Sequence, residues 1–186
     1  MAPPTHRPAS RKAIFDPVHG PIPLDPAALA LIGTPEFQRL WGIRQTGFAH
    51  LVFPGANHTR LEHSLGTYSV ATRFAEHLRL DAREARRVTT AALLHDLGHG
   101  PFSHTLDSPM LEVLGHDHER LSRERIEGTA AAPSAVPGVL RRHGLDPEEV
   151  ADLVDPARRD GPSWFRGILH GAIDADRIDY LQRDAH

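Results

Sequence analysis

The 186-residue sequence contains no cysteine. Disulfides, thiolate zinc sites and cysteine nucleophiles are therefore excluded, and any metal must be held by His, Asp or Glu. A positive charge balance is also missing. Lys and Arg number 21 against 24 Asp and Glu, a formal net charge of -3, so no global basic field draws in nucleic acid or anionic membrane. No apolar run approaches the roughly 20 residues needed to span a bilayer. The opening stretch MAPPTHRPASRK has no apolar core of a secretory signal, so a cytoplasmic address is expected. Histidine, by contrast, is abundant at 14 residues. The length suits one domain with its own core, and the composition, 40% apolar and 24% charged, is that of an ordinary globular protein.

Residues 1–12 are Pro-rich, polar and basic, and read as a disordered tail ahead of a single domain over 13–186. AIFDPVHGPIPL (13–24) mixes short apolar runs with Pro and Gly, which predicts an extended or hairpin-like entry. From Pro26 the pattern turns helical. Leu29, Ile32, Phe37, Leu40 and Ile43 recur every three or four residues, with a break at Gly33-Thr34-Pro35. Residues 47–60 read as a connection turning at Pro54-Gly55. LEHSLGTYSVATRFAEHL (61–78) predicts a long amphipathic helix with Leu61, Leu65, Val70, Phe74 and Leu78 near one face.

Asp81 is placed to cap a further helix whose run Ala91-Ala92-Leu93-Leu94 looks buried all round, with Gly98 and Gly100-Pro101 ending it. Residues 128–138 read as a small-residue loop, and Asp146-Pro147 as a helix start. Ile168 onward reads as one last helix carrying Asp174, Asp176 and Asp179. The expected fold is all-α, a helical bundle with a short extended element near the N-terminus.

The segment LLHDLGHGPFSH (93–104) carries the chemistry. His95 and Asp96 directly follow a buried apolar run, where an unpartnered polar group would cost several kcal/mol. Adjacent helical residues point about 100° apart, so both reach one ion only at a helix end or edge. His63 on the preceding helix and Asp176 on the last complete a set of two imidazoles and two carboxylates, whose charge balances a divalent cation. Such mixed N/O ligands suit Mn, Fe, Co, Ni, Zn or Mg, so one divalent ion is expected without its identity. A lone helical His is usually a core or surface residue, and a His-Asp dipeptide by itself says little. The weight lies in the combination.

The stretches FDPVHGPIPL, TPEFQRL, VFPGANHTRLEHSLG, LLHDLGHGPFSH, HDHER and IDADRIDYLQRDAH together resemble the HD-domain dNTP triphosphohydrolases, a family that includes vertebrate enzymes pairing a SAM with an HD domain and bacterial dGTPase-like phosphohydrolases. The resemblance covers nearly all of 13–186, in the family's order. It implies metal ligation by His63, His95, Asp96 and Asp176. It implies supporting and acid/base histidines at His99, His104 and His118, with Asp107 and Glu119 beside them. It also implies a phosphate contact at Arg60 and further substrate contacts at Gln45, Arg177, Tyr180 and Asp184. His104 is then the expected proton-transferring group, its ring oriented by Asp107.

The activity so implied is hydrolysis of a dNTP to deoxynucleoside and triphosphate, with a deoxynucleotide as partner, no membrane, no general nucleic-acid affinity, and homo-oligomer assembly. The family's C-terminal region is expected to be missing. A nucleoside monophosphatase or phosphodiesterase is the alternative within the same chemistry, and a non-catalytic nucleotide-binding module the alternative outside it.

Overall fold

The computed structural model describes residues 12–102, 106, 109, 111–113, 115, 117–155 and 163–186. The entry segment is a hairpin, β1 (Ala13–Asp16) antiparallel to β2 (Gly20–Pro23), in register Ile14 with Ile22 and Asp16 with Gly20. The turn is closed by the Asp16 carboxylate, whose Oδ1 accepts from the amides of Val18 and His19, both at 2.9 Å. Pro17 fixes the first turn position, and Gly20 takes φ +71°, the left-handed region that a Cβ disfavours. Lys12 extends the pairing, its carbonyl accepting from Leu24 at 2.8 Å. Ile22 is buried, so the hairpin is pinned to the helical core.

Two short helices follow, α1 (Pro26–Ile32) and α2 (Pro35–Gln38), separated at the expected Gly33-Thr34 break. Asp25 and Thr34 cap them, each followed by Pro at N1, where the absent amide costs nothing. Beyond the 3₁₀ turns Arg39–Gly42 and Gly47–Leu51 comes α3 (Arg60–His77). Its start is a capping box between Thr59 and Glu62, worth about 1 kcal/mol. That cap fixes Arg60 at the first helical position and His63 one turn in. Leu61, Leu65 and Val70 are buried as the period requires; Leu78, past the helix end, is half exposed instead.

The next helix, α4 (Ala82–Leu94), starts at the Asp81–Glu84 capping box, and its Ala91-Ala92-Leu93-Leu94 run is fully buried. It ends at Leu94, earlier than the Gly98 expected from sequence, because His95 already serves as its C-cap. Then come α5 (His118–Glu127), α6 (Val136–Arg142), α7 (Pro147–Val154), α8 (Ser163–His170) and α9 (Ala175–Asp184). Two further expectations are corrected. Helix α6 begins inside the presumed small-residue loop, where Val136 and Val139 drop into the core. The last helix is two helices, since Asp174 leaves the helical path to cap α9 through the amide of Arg177.

Helix α3 lies between α4 and α9, while α5 packs on α7 and α6. The all-α architecture is as expected from sequence. No helix among the described residues is long and apolar enough to cross a membrane.

Candidate metal centre

Three separate pieces of backbone deliver the four ligand-type side chains. His63 comes from the second turn of α3, His95 and Asp96 from the end of α4, and Asp176 from the first turn of α9. Atoms of His63, His95 and Asp96 lie within 4.8 Å of one another, a grouping that could hold a metal ion. Asp176 Oδ1 stands 2.9 Å from His63 Nε2 and 3.8 Å from His95 Nε2. Asp96 approaches His95 Nε2 at 3.3 Å through Oδ1 and His63 Nε2 at 3.7 Å through Oδ2. Donors bound at about 2.1 Å to one ion stand roughly 3–4 Å from each other. The mutual spacing of His63, His95 and Asp96 is compatible with one ion, and Asp176 stands beside them as a further carboxylate.

Tautomers point the same way. His95 Nδ1 meets the Ala92 carbonyl at 2.8 Å, and His63 Nδ1 meets Asp179 Oδ2 at 2.7 Å. An oxygen acceptor at each Nδ1 holds a proton there, so Nε2 is the nitrogen that each ring turns toward the carboxylates and that a cation would take. His95 Nε2 is buried and, among the described residues, has no hydrogen-bond partner. A lone pair facing carboxylate oxygens is unfavourable unless a positive charge lies between them. Burial disfavours the His63 cation, yet Asp176, Asp179 and Asp96 outweigh it and raise its pKa to about 9. Burial likewise works against the Asp96 carboxylate, but His95, Arg60 and His99 hold it well below the usual range. The cluster therefore favours positive charge at its centre, and this donor set fits a divalent cation.

The turn following Asp96 is held from two sides. Arg39 donates to the carbonyls of Leu97 and of His99, the latter at 2.7 Å. Burial and Arg125 lower the Arg39 pKa to about 10, with Glu36 opposing, so it stays cationic at neutral pH. Ser122 of α5 accepts from the Gly98 amide and donates to the His95 carbonyl, both at 2.7 Å. A Cβ on Gly98 would lie 2.1 Å from the His118 carbonyl oxygen, so the residue is glycine because α5 sits directly against it. That approach stacks the His118 ring on His99, with centroids 3.8 Å apart and planes 16° from parallel.

These residues face a cavity of about 430 Å³, within the range of small-molecule sites. Of the residues singled out from sequence, Gln45, Arg60, His63, His95, Asp96, His99, His118, Glu119, Asp176, Tyr180 and Asp184 all line it. Arg60 is buried and pairs with Asp96 Oδ2, which excludes a solvated surface charge. Gln45 is brought beside Arg60 by the short pairing of Arg44 with Thr59, and its buried Oε1 has no hydrogen-bond partner among the described residues. His99 Nε2 is 3.2 Å from Asp96 Oδ1. Burial drives its pKa down to about 4, assisted by Arg60 and His118 and opposed by Asp96, so its ring is neutral at pH 7. Glu119 is raised by burial and by Asp117 and Asp155. Arg177 does not line the cavity: it is exposed and donates to the Ala172 carbonyl at 3.1 Å. His104 and Asp107 lie outside the described residues.

Sequence reasoning passed over several residues around the centre. Asp179 entered only as one of an acidic cluster, yet it is fully buried beneath His63. His19 reaches it from the hairpin, and Arg39 and Ser122 brace the turn. The signal available for Asp179 was its spacing from Asp176, three residues along α9 on one helical face.

Comparison with known proteins places this geometry. The profile of the family described as the HD domain matches residues 60–184. Curated relatives include uncharacterized protein MJ1154 of Methanocaldococcus jannaschii, 39% identical across 94% of this chain and 34% of its own length. YwfO of Bacillus subtilis is 38% identical over 100% and 42%, respectively. The human deoxynucleoside triphosphate triphosphohydrolase SAMHD1 is 35% identical over 94% and 33%. A solved structure of a hypothetical protein from Aquifex aeolicus superposes with a TM-score of 0.81 at 34% identity, covering 95% of this chain and 46% of that one. The chain thus spans between a third and about two fifths of the length of these curated relatives.

Proposed function

The chain belongs to the HD-domain family, and on that premise we propose that it is a metal-dependent phosphohydrolase whose substrate is a deoxynucleoside triphosphate, cleaved to deoxynucleoside and triphosphate. The observation carrying this reading is the convergence of His63, His95, Asp96 and Asp176 from three chain segments, with a buried Nε2 on His95 that faces two carboxylates and has no hydrogen-bond partner among the described residues. The substrate class is supported by the human relative, whose name describes it as a dNTP triphosphohydrolase.

A divalent cation bound there supplies Lewis acidity, drawing charge from a phosphate oxygen and lowering the pKa of water from 15.7 toward about 7. The chain's own groups do the rest. Positioning and charge stabilisation dominate phosphoryl chemistry. Arg60 offers a planar guanidinium at the cavity wall, able to grip phosphate oxygens through two parallel N–H donors. His99, kept neutral by burial, can take part in hydrogen bonding to substrate without carrying charge at neutral pH. His118, stacked against it, and Glu119 extend that polar wall. His104 with Asp107 is the proton-transferring pair in this reading, contributing about 10²–10⁴-fold as such groups do. The Oε1 of Gln45, the Tyr180 hydroxyl and the carboxylate of Asp184, all on the cavity wall, suit sugar hydroxyls and the base.

The test is product analysis by mass spectrometry with each dNTP and NTP in Mn, Mg, Co or Ni, alongside the His95→Ala/Asp96→Ala variant. Triphosphate release from dNTPs that disappears in the variant, together with loss of bound metal, is the expected result. Release of single phosphates would convert the reading to a nucleotidase, and undiminished metal binding in the variant would refute the site.

A further inference from the structure

Beneath the metal-ligand set lies a second cluster that the proposed chemistry does not use. Asp179 is completely buried, and its two oxygens receive four donors. Oδ2 accepts from His63 Nδ1 at 2.7 Å and from Arg183 Nε at 3.0 Å. Oδ1 accepts from His19 Nε2 at 2.6 Å and from Arg183 Nη2 at 2.9 Å. A carboxylate has about four acceptor positions, so this one is saturated. The third arm of Arg183, Nη1, reaches Asp16 Oδ2 at 3.0 Å, and the other oxygen of Asp16 closes the hairpin turn that delivers His19.

Space for the carboxylate comes from Gly66, one turn beyond His63 on α3. A Cβ there would stand 1.8 Å from Asp179 Oδ1 and 2.5 Å from Arg183 Nη2. The helix face that presents His63 is therefore notched to let a buried carboxylate reach the ring's far nitrogen.

We infer that Asp179 is the positioning residue of the metal centre, and that the N-terminal hairpin, through His19 and Asp16, is the strut that holds it. The chain of contacts runs from hairpin turn to Asp179 to His63 Nδ1, and its effect is exerted at His63 Nε2. With Nδ1–H committed to a fixed carboxylate, the ring has one orientation, and its Nε2 faces Asp96 and Asp176. Without that acceptor the proton can move to Nε2, where it blocks ligation. Carboxylates that orient a ligating histidine in this way typically govern 10–100-fold in metal affinity. The coupling also explains why a solvent-side β-hairpin in an otherwise helical protein carries two buried polar side chains.

The inference rests on the metal-centre reading and is tested apart from catalysis, with Co²⁺ as the probe. Affinity is measured by competition with a chromophoric chelator, the ligand field by visible absorption, and folding of the metal-free protein by thermal denaturation. Asp179→Asn should weaken Co²⁺ binding about 10–100-fold and shift the absorption bands. Gly66→Ala, which leaves every hydrogen-bonding group in place but displaces the carboxylate, should do the same. Should either fail to fold, the hairpin variants decide: His19→Ala should weaken binding several-fold, and His19→Gln, which keeps a donor near the same point, should recover most of it. If wild type binds Co²⁺ while the folded variants bind it with unchanged affinity and spectrum, and only their melting temperatures fall, the network is structural and the inference is overturned. If wild type itself binds no Co²⁺, the metal-centre reading fails first.

Discussion

Replacing Gly98 by alanine is the sharpest probe of how the site is assembled. The added Cβ would meet the His118 carbonyl oxygen at 2.1 Å, the Ser122 amide nitrogen at 2.4 Å and the Leu121 carbonyl carbon at 2.9 Å. All three are backbone atoms in the first turns of α5, so no side chain can swing aside. Restoring ordinary contact requires the turn and α5 to separate by about 1 Å. That movement stretches two bonds of 2.7 Å, Gly98 N–H to Ser122 Oγ and Ser122 O–H to the His95 carbonyl, beyond useful length. Each is worth about 1 kcal/mol, and overpacking adds about 1–3 kcal/mol. The sum, roughly 3–5 kcal/mol, is a large part of a typical stability of about 5–15 kcal/mol. For a chain of this length it corresponds to a melting temperature lower by roughly 6–20 °C. The same displacement moves His95, Asp96 and the His99–His118 stack, so metal affinity should fall too. Denaturant unfolding and metal titration measure both. Because Ser122→Ala removes the same two bonds, the double variant should cost less than the sum of the singles. A Gly98→Ala protein within about 0.5 kcal/mol of wild type, with wild-type metal affinity, would refute the reasoning.

Two further outcomes follow from the surroundings of the site. Arg39→Lys keeps the charge but cannot span the Leu97 and His99 carbonyls, so it should destabilise by about 2 kcal/mol, read from denaturant midpoints; an unchanged midpoint would mean the guanidinium clamp is dispensable. Burial lowers the His58 pKa, with Arg183 and His63 adding to it and Asp184, at 3.2 Å, opposing. The fold thus prefers the neutral ring: this stabilisation is present above the unfolded value near 6.5 and shrinks as pH falls below it. His58→Gln should accordingly lose less stability than wild type between pH 7.5 and 5, and equal losses would contradict the assignment.

Local rules made much of the molecule legible. The Asp81 cap, the Asp146-Pro147 start, the Gly33-Thr34-Pro35 break and the hairpin at Asp16–Gly20 each depend on hydrogen bonds between residues two to four apart, so the sequence window contains both partners. The candidate ligand pair His95-Asp96 was legible for the related reason that polar groups directly after a buried apolar run demand a partner. Other boundaries slipped where tertiary packing competed with local pattern. Helix α6 starts early because Val136 and Val139 find the core, and the final helix is interrupted because Asp174 caps instead of continuing.

What sequence alone determined is the identity of the groups: a cysteine-free set of imidazoles and carboxylates, with His95-Asp96 at a helix end and charges suited to one cation. What only the tertiary structure decided is which of many similar residues meet. Sequence singled out Asp176 but left Asp179 as one more acid in the cluster; the notch at Gly66 lets α9 approach α3 closely enough to put Asp179 under His63 while Asp176 faces the cavity. The hairpin's His19, 160 positions away in sequence, closes the same cluster. Such contacts depend on helix separations of a few ångströms, which are set by packing across the whole core and have no counterpart in any short stretch of chain.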